Sequence, residues 1–125
     1  MTEAQSADSK AVTLGPGEGR QVPDPMDFPM VVKAWAGATH GAYAMAELMK
    51  PPGVGPKPHI HPEAEEGFYV LEGELEFTVG GEIFVAPAGS FALVPRGVEH
   101  SFRNSGVTDA RYLGILSPAT ADVRA

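Results

Sequence analysis

His59-Ile60-His61-Pro62-Glu63-Ala64-Glu65-Glu66 is the stretch that decides how this chain is read, together with a third histidine far downstream, His100. Residues two apart in an extended strand project to the same face, so His59 and His61 aim their imidazoles at one point. Pro62-Glu63-Ala64-Glu65 is a short polar stretch that turns the chain before Glu66 opens an apolar run. Three neutral imidazoles and one carboxylate form a nitrogen/oxygen set suited to a divalent first-row transition metal. The chain has four histidines, and three of them fall into this pattern. For His59-Ile60-His61 alone, a pair of solvated loop histidines beside acidic residues stands as the alternative, because metal affinity needs a third ligand.

The wider spacing resembles a known family. Gly53, five residues, His59-x-His61, four residues, Glu66, six residues and Gly73 is similar to the first cupin motif. Gly89, five residues, Pro95-x-Gly97, two residues, His100, three residues and Asn104 is similar to the second. The two motifs span residues 53–104, and strand-like segments on either side suit the rest of one such domain. The resemblance implies an all-β fold, a cupin double-sheet β-barrel of jelly-roll type. It also implies one metal held by His59, His61, Glu66 and His100. Glu65 is the alternative carboxylate, but it falls on the opposite strand face and breaks the motif's spacing to Gly73.

Composition suits a small domain rich in turns. A chain of 125 residues has room for one core. Its 15 glycines and 12 prolines are scattered between short apolar runs, as expected of an all-β fold. The formal charge of −7 argues against nucleic acid, whose phosphates need a basic surface. No apolar run approaches a membrane span and the N-terminus lacks a signal-peptide pattern, so no membrane partner is expected and the cytoplasm is the default. Zero cysteines removes disulfides and thiolate ligands.

Residues 1–29 read as an N-terminal arm, partly disordered or exchanging a strand between subunits. Residues 30–118 read as the barrel, and 119–125 as a tail with room for a helical turn. Strands are expected over 30–36 and 41–49, joined by a hairpin turn at Gly37-Ala38-Thr39-His40-Gly41. Further strands are expected over 66–71, 74–79, 82–86, 91–94, 98–103 and 111–116, with Gly80-Gly81 as a second hairpin turn. The open sheet edges of a small barrel need cover, which an exchanged N-terminal strand would supply, so a homodimer is expected.

Strand parity nominates the surroundings of the metal. Phe68 and Val70 share a face with Glu66, and Phe102 shares one with His100, so these three and Met45 are the expected substrate pocket. Trp35, Tyr43, Phe77 and Phe91 are expected in the core, and for Met45 core packing is the reading that stands against the pocket. His40 falls in a turn, where a solvent-exposed histidine outweighs a proton shuttle. Glu63 is a solvated charge or an acceptor for a ligand histidine, and Arg96 and Arg103 are surface charges.

Four protein ligands on an octahedral ion leave two open positions. Small cupins with three histidines and one glutamate resemble the quercetin-dioxygenase-type group. That resemblance implies a dioxygenase acting on a small enolic or phenolic substrate, with Glu66 both ligand and catalytic proton acceptor. A metal-dependent isomerase or lyase working without O2, and a small-molecule-binding barrel without turnover, are the alternatives. Iron, manganese, nickel, cobalt and zinc all accept this ligand set.

Overall fold

The computed structural model describes residues 10–119. The first nine residues of the expected arm and the tail beyond Ala119 lie outside the described residues. The elements run β1 (Arg20–Pro23), β2 (Pro29–Ala34), α1 (Ala36–Thr39), β3 (Ala44–Lys50), β4 (Glu65–Glu72), β5 (Glu74–Val79), β6 (Glu82–Pro87), β7 (Phe91–Val94), β8 (His100–Asn104) and β9 (Ala110–Ser117). A six-stranded sheet of order β1-β2-β3-β9-β4-β7 faces a three-stranded sheet of order β6-β5-β8, and every pairing is antiparallel. This is the expected double-sheet jelly roll, although the two sheets do not close into a continuous barrel. No described helix is long and apolar enough to cross a membrane.

Strict alternation builds the interior. On β4, Phe68 and Val70 are buried while Tyr69 between them is exposed. Leu75 and Phe77 alternate with Glu74, Glu76 and Thr78 on β5, and both are fully buried. The inner faces meet in one core of Phe68, Val70, Leu75, Phe77, Ala92, Val94, Phe102 and Tyr112, with smaller alanines between. The aromatic rings form a connected cluster: Phe77 lies 5.1 Å from Phe68, 5.5 Å from Phe102 and 5.4 Å from Phe84, centroid to centroid. Offset contacts at such distances add to the area that these rings bury.

The larger sheet is deliberately thin on its inner face near one end. Register aligns Ala44, Leu116, Glu66 and Val94 in one inward row, and Ala46, Gly114, Phe68 and Ala92 in the next. Alanine and glycine at Ala44, Ala46 and Gly114 leave space that larger side chains would fill. A cavity of about 550 Å3 occupies it, lined by those three residues together with Leu48, Phe68, Phe102 and Leu116.

Several elements depart from expectation. The turn expected at Gly37–Gly41 is instead the single-turn helix α1, closed by His40 in the left-handed region at φ 55°. Thr39 stabilises the exit: its hydroxyl donates to the Tyr43 carbonyl at 2.6 Å and accepts from the Tyr43 amide at 3.2 Å. β3 therefore begins at Ala44 and not at Gly41. Arg20–Pro23, inside the expected arm, is a strand paired with β2 of the same chain and forms one edge of the larger sheet. Lys33 ties the preceding residues down by donating to the carbonyls of Gly15 and Glu18. Of the expected core aromatics only Phe77 is fully buried. Tyr43 and Phe91 are exposed, because both point from the outer face of the larger sheet, and Trp35 is half-buried under the Arg20 guanidinium, 4.1 Å from its ring centroid.

Phe77→Ala should cost about 3–5 kcal/mol, because it opens a void at the centre of the ring cluster. Urea denaturation of the variant against the parent measures this, and a loss below about 1 kcal/mol would mean that the cluster does not organise the core.

Candidate metal centre

The site joins two chain segments that are 41 residues apart, from His59 to His100. His59 is held by a single antiparallel bridge: its amide donates to the His100 carbonyl and the His100 amide donates back to the His59 carbonyl, both at 2.9 Å. The same segment runs along β8 farther on, where the Gly53 amide donates to the Asn104 carbonyl and the Asn104 amide donates to the Val54 carbonyl. Between these anchors the backbones nearly touch. A Cβ on Gly55 would lie 1.8 Å from the Phe102 carbonyl oxygen, so no side chain fits there. The first-motif glycine and proline stretch thus lets the segment lie flat on β8. His59-Ile60-His61 is an extended bridge residue and its successors, not the strand that alternation suggested.

His61 is fixed from the other motif. Its carbonyl accepts the amide of Gly97 at 2.9 Å, and Gly97 adopts φ 80°, a conformation that favours glycine. Glu66 enters from the start of β4 and points inward. Glu65 points outward to Arg96 at 3.1 Å, so the two adjacent carboxylates have separate partners. His59, His61, Glu66 and His100 each offer one donor atom, and all four atoms lie within 4.8 Å of one another. Ligand atoms around one ion at about 2.1 Å stand roughly 3.0 Å apart at right angles and about 4.2 Å apart across it. A spread within 4.8 Å is close to that scale.

Protonation strengthens the fit. Nδ1 of His59 lies 2.7 Å from the Lys57 carbonyl, and Nδ1 of His100 lies 2.9 Å from the Val98 carbonyl. A carbonyl only accepts, so each Nδ1 carries the hydrogen, and in the neutral ring Nε2 keeps its lone pair. Nε2 of His100 then faces Oε1 of Glu66 at 2.9 Å, and Nε2 of His61 faces the same oxygen at 3.1 Å. In His100, lone pair faces lone pair across that short distance. A cation between them, or a further proton, resolves the conflict. His100 is buried while His59, His61 and Glu66 are half-buried, so the cluster opens to the cavity from one side.

The remaining nominated residues are distributed as follows. Phe68 and Phe102 line the cavity beside Glu66, His59 and His61. Met45 borders it too, but from outward parity, alongside its register partner Ile115 where the inner face carries only small residues. Val70 shares the inward face with Glu66 yet sits in the packed core with Leu75 and Phe77 and does not line the cavity. His40 caps α1 and is exposed, apart from the four-donor cluster. Glu63 is exposed, and Arg103 pairs with Glu76 at the surface. Among the lining residues outside the expected pocket and the metal cluster, three carry polar side chains: Asp24, Lys50 and Tyr112. Lys50 had a signal, since it continues the inward series Ala44, Ala46, Leu48 on β3, where a lysine breaks an apolar pattern.

His100→Ala should weaken metal binding by more than about a hundredfold, since loss of an outer partner of a ligand alone costs up to about that much. The fold should persist, because the core lies below the site. Elemental analysis after equilibration with zinc measures occupancy, with Glu66→Gln testing the carboxylate and Glu65→Gln as its control. Equal metal in parent and His100→Ala would refute the cluster.

Comparison with known proteins bears on the family and the fold. Residues 46–116 match the family model described as the cupin domain. The chain is 42% identical over 82 residues to the polyketide synthase CurC of Streptomyces cyaneus, covering 66% of this chain and 52% of that protein. It is also 42% identical over 45 residues to quercetin 2,3-dioxygenase of Bacillus subtilis, covering 36% of this chain and 13% of that one. The chain thus spans about half the length of the first relative and a small part of the second. Among solved structures, an RmlC-like cupin from Shewanella frigidimarina superposes with a TM-score of 0.76 at 20% identity, covering 92% of this chain and 97% of that chain. At that identity the likeness speaks for the fold. With the family model matching more than half of its length, the chain belongs to the cupin family.

Proposed function

We propose that the chain is a metal-dependent dioxygenase acting on a small enolic or phenolic substrate. The observation that carries this is the opening of a three-histidine, one-glutamate donor cluster onto a cavity walled mainly by apolar side chains. A divalent transition metal in such a set keeps open positions and supplies Lewis acidity and one-electron chemistry. Phe68 and Phe102, with ring centroids 5.1 Å apart, offer a wall against which a flat ring packs and from which water is excluded. Glu66 turns Oε1 toward His61 and His100, which leaves Oε2 to accept the proton of a substrate hydroxyl. The similarity to a protein named quercetin 2,3-dioxygenase, over the stretch that it covers, supports a phenolic substrate.

A homodimer is part of the same proposal. The outer face of the larger sheet carries Tyr69, Phe91 and Leu93, all exposed, and β7 at that edge has no charged residue. In a chain of net charge −7, an uncharged apolar edge favours a second copy over solvent. Light scattering at micromolar concentration should give twice the chain mass.

Oxygen uptake with iron-loaded protein and a panel of flavonols and catechols tests the activity. Uptake that is coupled to substrate loss, and abolished in His100→Ala, is expected. Turnover that persists without oxygen would transfer the site to isomerase or lyase chemistry. Phe102→Ala should alter the ranking of substrates by about tenfold or more without changing metal content, since it enlarges the wall and touches no ligand.

A further inference from the structure

The cavity has a second polar end that the metal cluster does not use. Asp24, Lys50 and Tyr112 line it, and all three are almost completely buried. Asp24 is saturated: Oδ1 accepts the amides of Met26 and Phe28, and Oδ2 accepts from the Lys50 ammonium. Lys50 gives a second hydrogen to the Met49 carbonyl at 3.2 Å, which leaves its third hydrogen unspent. The Tyr112 hydroxyl has no hydrogen-bond partner among the described residues, although the residue is 1% exposed. Buried hydroxyls without partners are uncommon and call for an explanation.

Its position offers one. On the inward face, Tyr112 lies four residues along β9 from Leu116, the register partner of Glu66, which is about 13 Å of strand. Burial raises the pKa of the Tyr112 hydroxyl, and the charges of Asp24 and Glu66 raise it further, so the group stays protonated and remains a donor. Both charges act on it, one from each end of the cavity. Lys50 Nζ stands 5.5 Å from the Tyr112 ring centroid. The Lys50–Asp24 pair is neutral overall, so this end attracts a neutral acceptor and offers little to a further anion.

We propose that Tyr112 and Lys50 form a second subsite, which takes a carbonyl oxygen at the end of the substrate remote from Glu66. The subsite rests on the oxygenase reading for the orientation of the substrate, since the enolic or phenolic end is assigned to the metal cluster. It adds a chemical requirement: a flat substrate with an acidic hydroxyl at one end and a neutral carbonyl at the other. A buried donor left unpaired by a ligand without that carbonyl discriminates against it, whereas an apolar wall would not.

Tyr112→Phe removes the hydroxyl and keeps the ring against Phe68 and Phe102, 6.1 Å and 5.5 Å away. Zinc-loaded parent and variant are titrated calorimetrically with 6-acetyl-2-naphthol and with its isostere 6-isopropyl-2-naphthol, which lacks the acceptor. The ratio of the two dissociation constants should shift by roughly tenfold toward the isopropyl compound in Tyr112→Phe, the scale of one lost hydrogen bond. Zinc content and melting temperature should match the parent. A ratio unchanged within about twofold, or no measurable binding of either naphthol to the parent, would overturn the subsite. Zinc performs no oxygen chemistry, so the two proposals fail separately. An absent oxygen uptake with the ratio shift intact sinks the oxygenase alone, and oxygen uptake with an unchanged ratio sinks the subsite alone.

Discussion

Two main-chain hydrogen bonds between His59 and His100 are the constraint on which the site depends. They fasten a stretch with no regular structure of its own to the first residue of β8. Without them His59 would belong to a free loop, and no side-chain preference would bring it to the same point as His100. The remaining contacts of that stretch serve the same junction. Gly53 and Val54 pair with Asn104, Gly55 lies against Phe102, and the His61 carbonyl holds Gly97. Three imidazoles are therefore placed by backbone bonds, which are stiffer than side-chain packing and independent of whether an ion is bound. Preorganisation of this kind keeps the entropy of assembling the ligands out of the binding free energy.

The cavity follows from residues that are missing bulk. Ala44, Ala46 and Gly114 would, as valine or leucine, continue the core up to the metal cluster. Their smallness forgoes apolar burial on the order of 1–2 kcal/mol per site. The aromatic cluster around Phe77, which includes the wall residues Phe68 and Phe102, supplies apolar burial away from the cavity. Core and cavity share Phe68, Phe102 and Tyr112. A change at Phe68 or Phe102 acts on specificity and stability together, whereas changes at Phe77 or Leu75 act on stability.

How far the residues alone disclosed this can be traced to the range of the interactions involved. Alternation along β4 and β5 gave the inward faces, because period two is a local property of the chain. The spacing of the motif residues singled out the four donors that the fold gathers, and the parity of Glu65 and Glu66 separated the carboxylate facing the cavity from the one facing Arg96. Parity failed where the partner strand decides. Phe91 and Tyr43 look like core residues in isolation, yet they sit on the outer face of the larger sheet. Val70 has the right parity yet packs into the core with Leu75 and Phe77, although its register partner Tyr112 lines the cavity. The one-turn helix α1 is held by a few backbone bonds and a Thr39 hydroxyl at its exit, too small a signal against the glycines around it. Tyr112 was invisible as a cavity residue because its role depends on a cross-sheet row.

The buried Lys50–Asp24 pair is the least economical feature of the interior. Its stabilising contribution is small at best, since removing two ions from water offsets most of their attraction, and a pair of apolar residues could replace it at little cost. Yet the turn from Asp24 to Phe28 is shaped to hold the carboxylate with two amides, and the Lys50 carbonyl is itself held by the Asn104 side chain. Both charges are positioned with more bonds than their mutual attraction requires. The chain thus tolerates a polar end in a cavity that would pack more easily without one. Stability does not call for it. The proposed subsite would, because a donor at that end would distinguish flat molecules held at the four-donor cluster by what they carry at their far end.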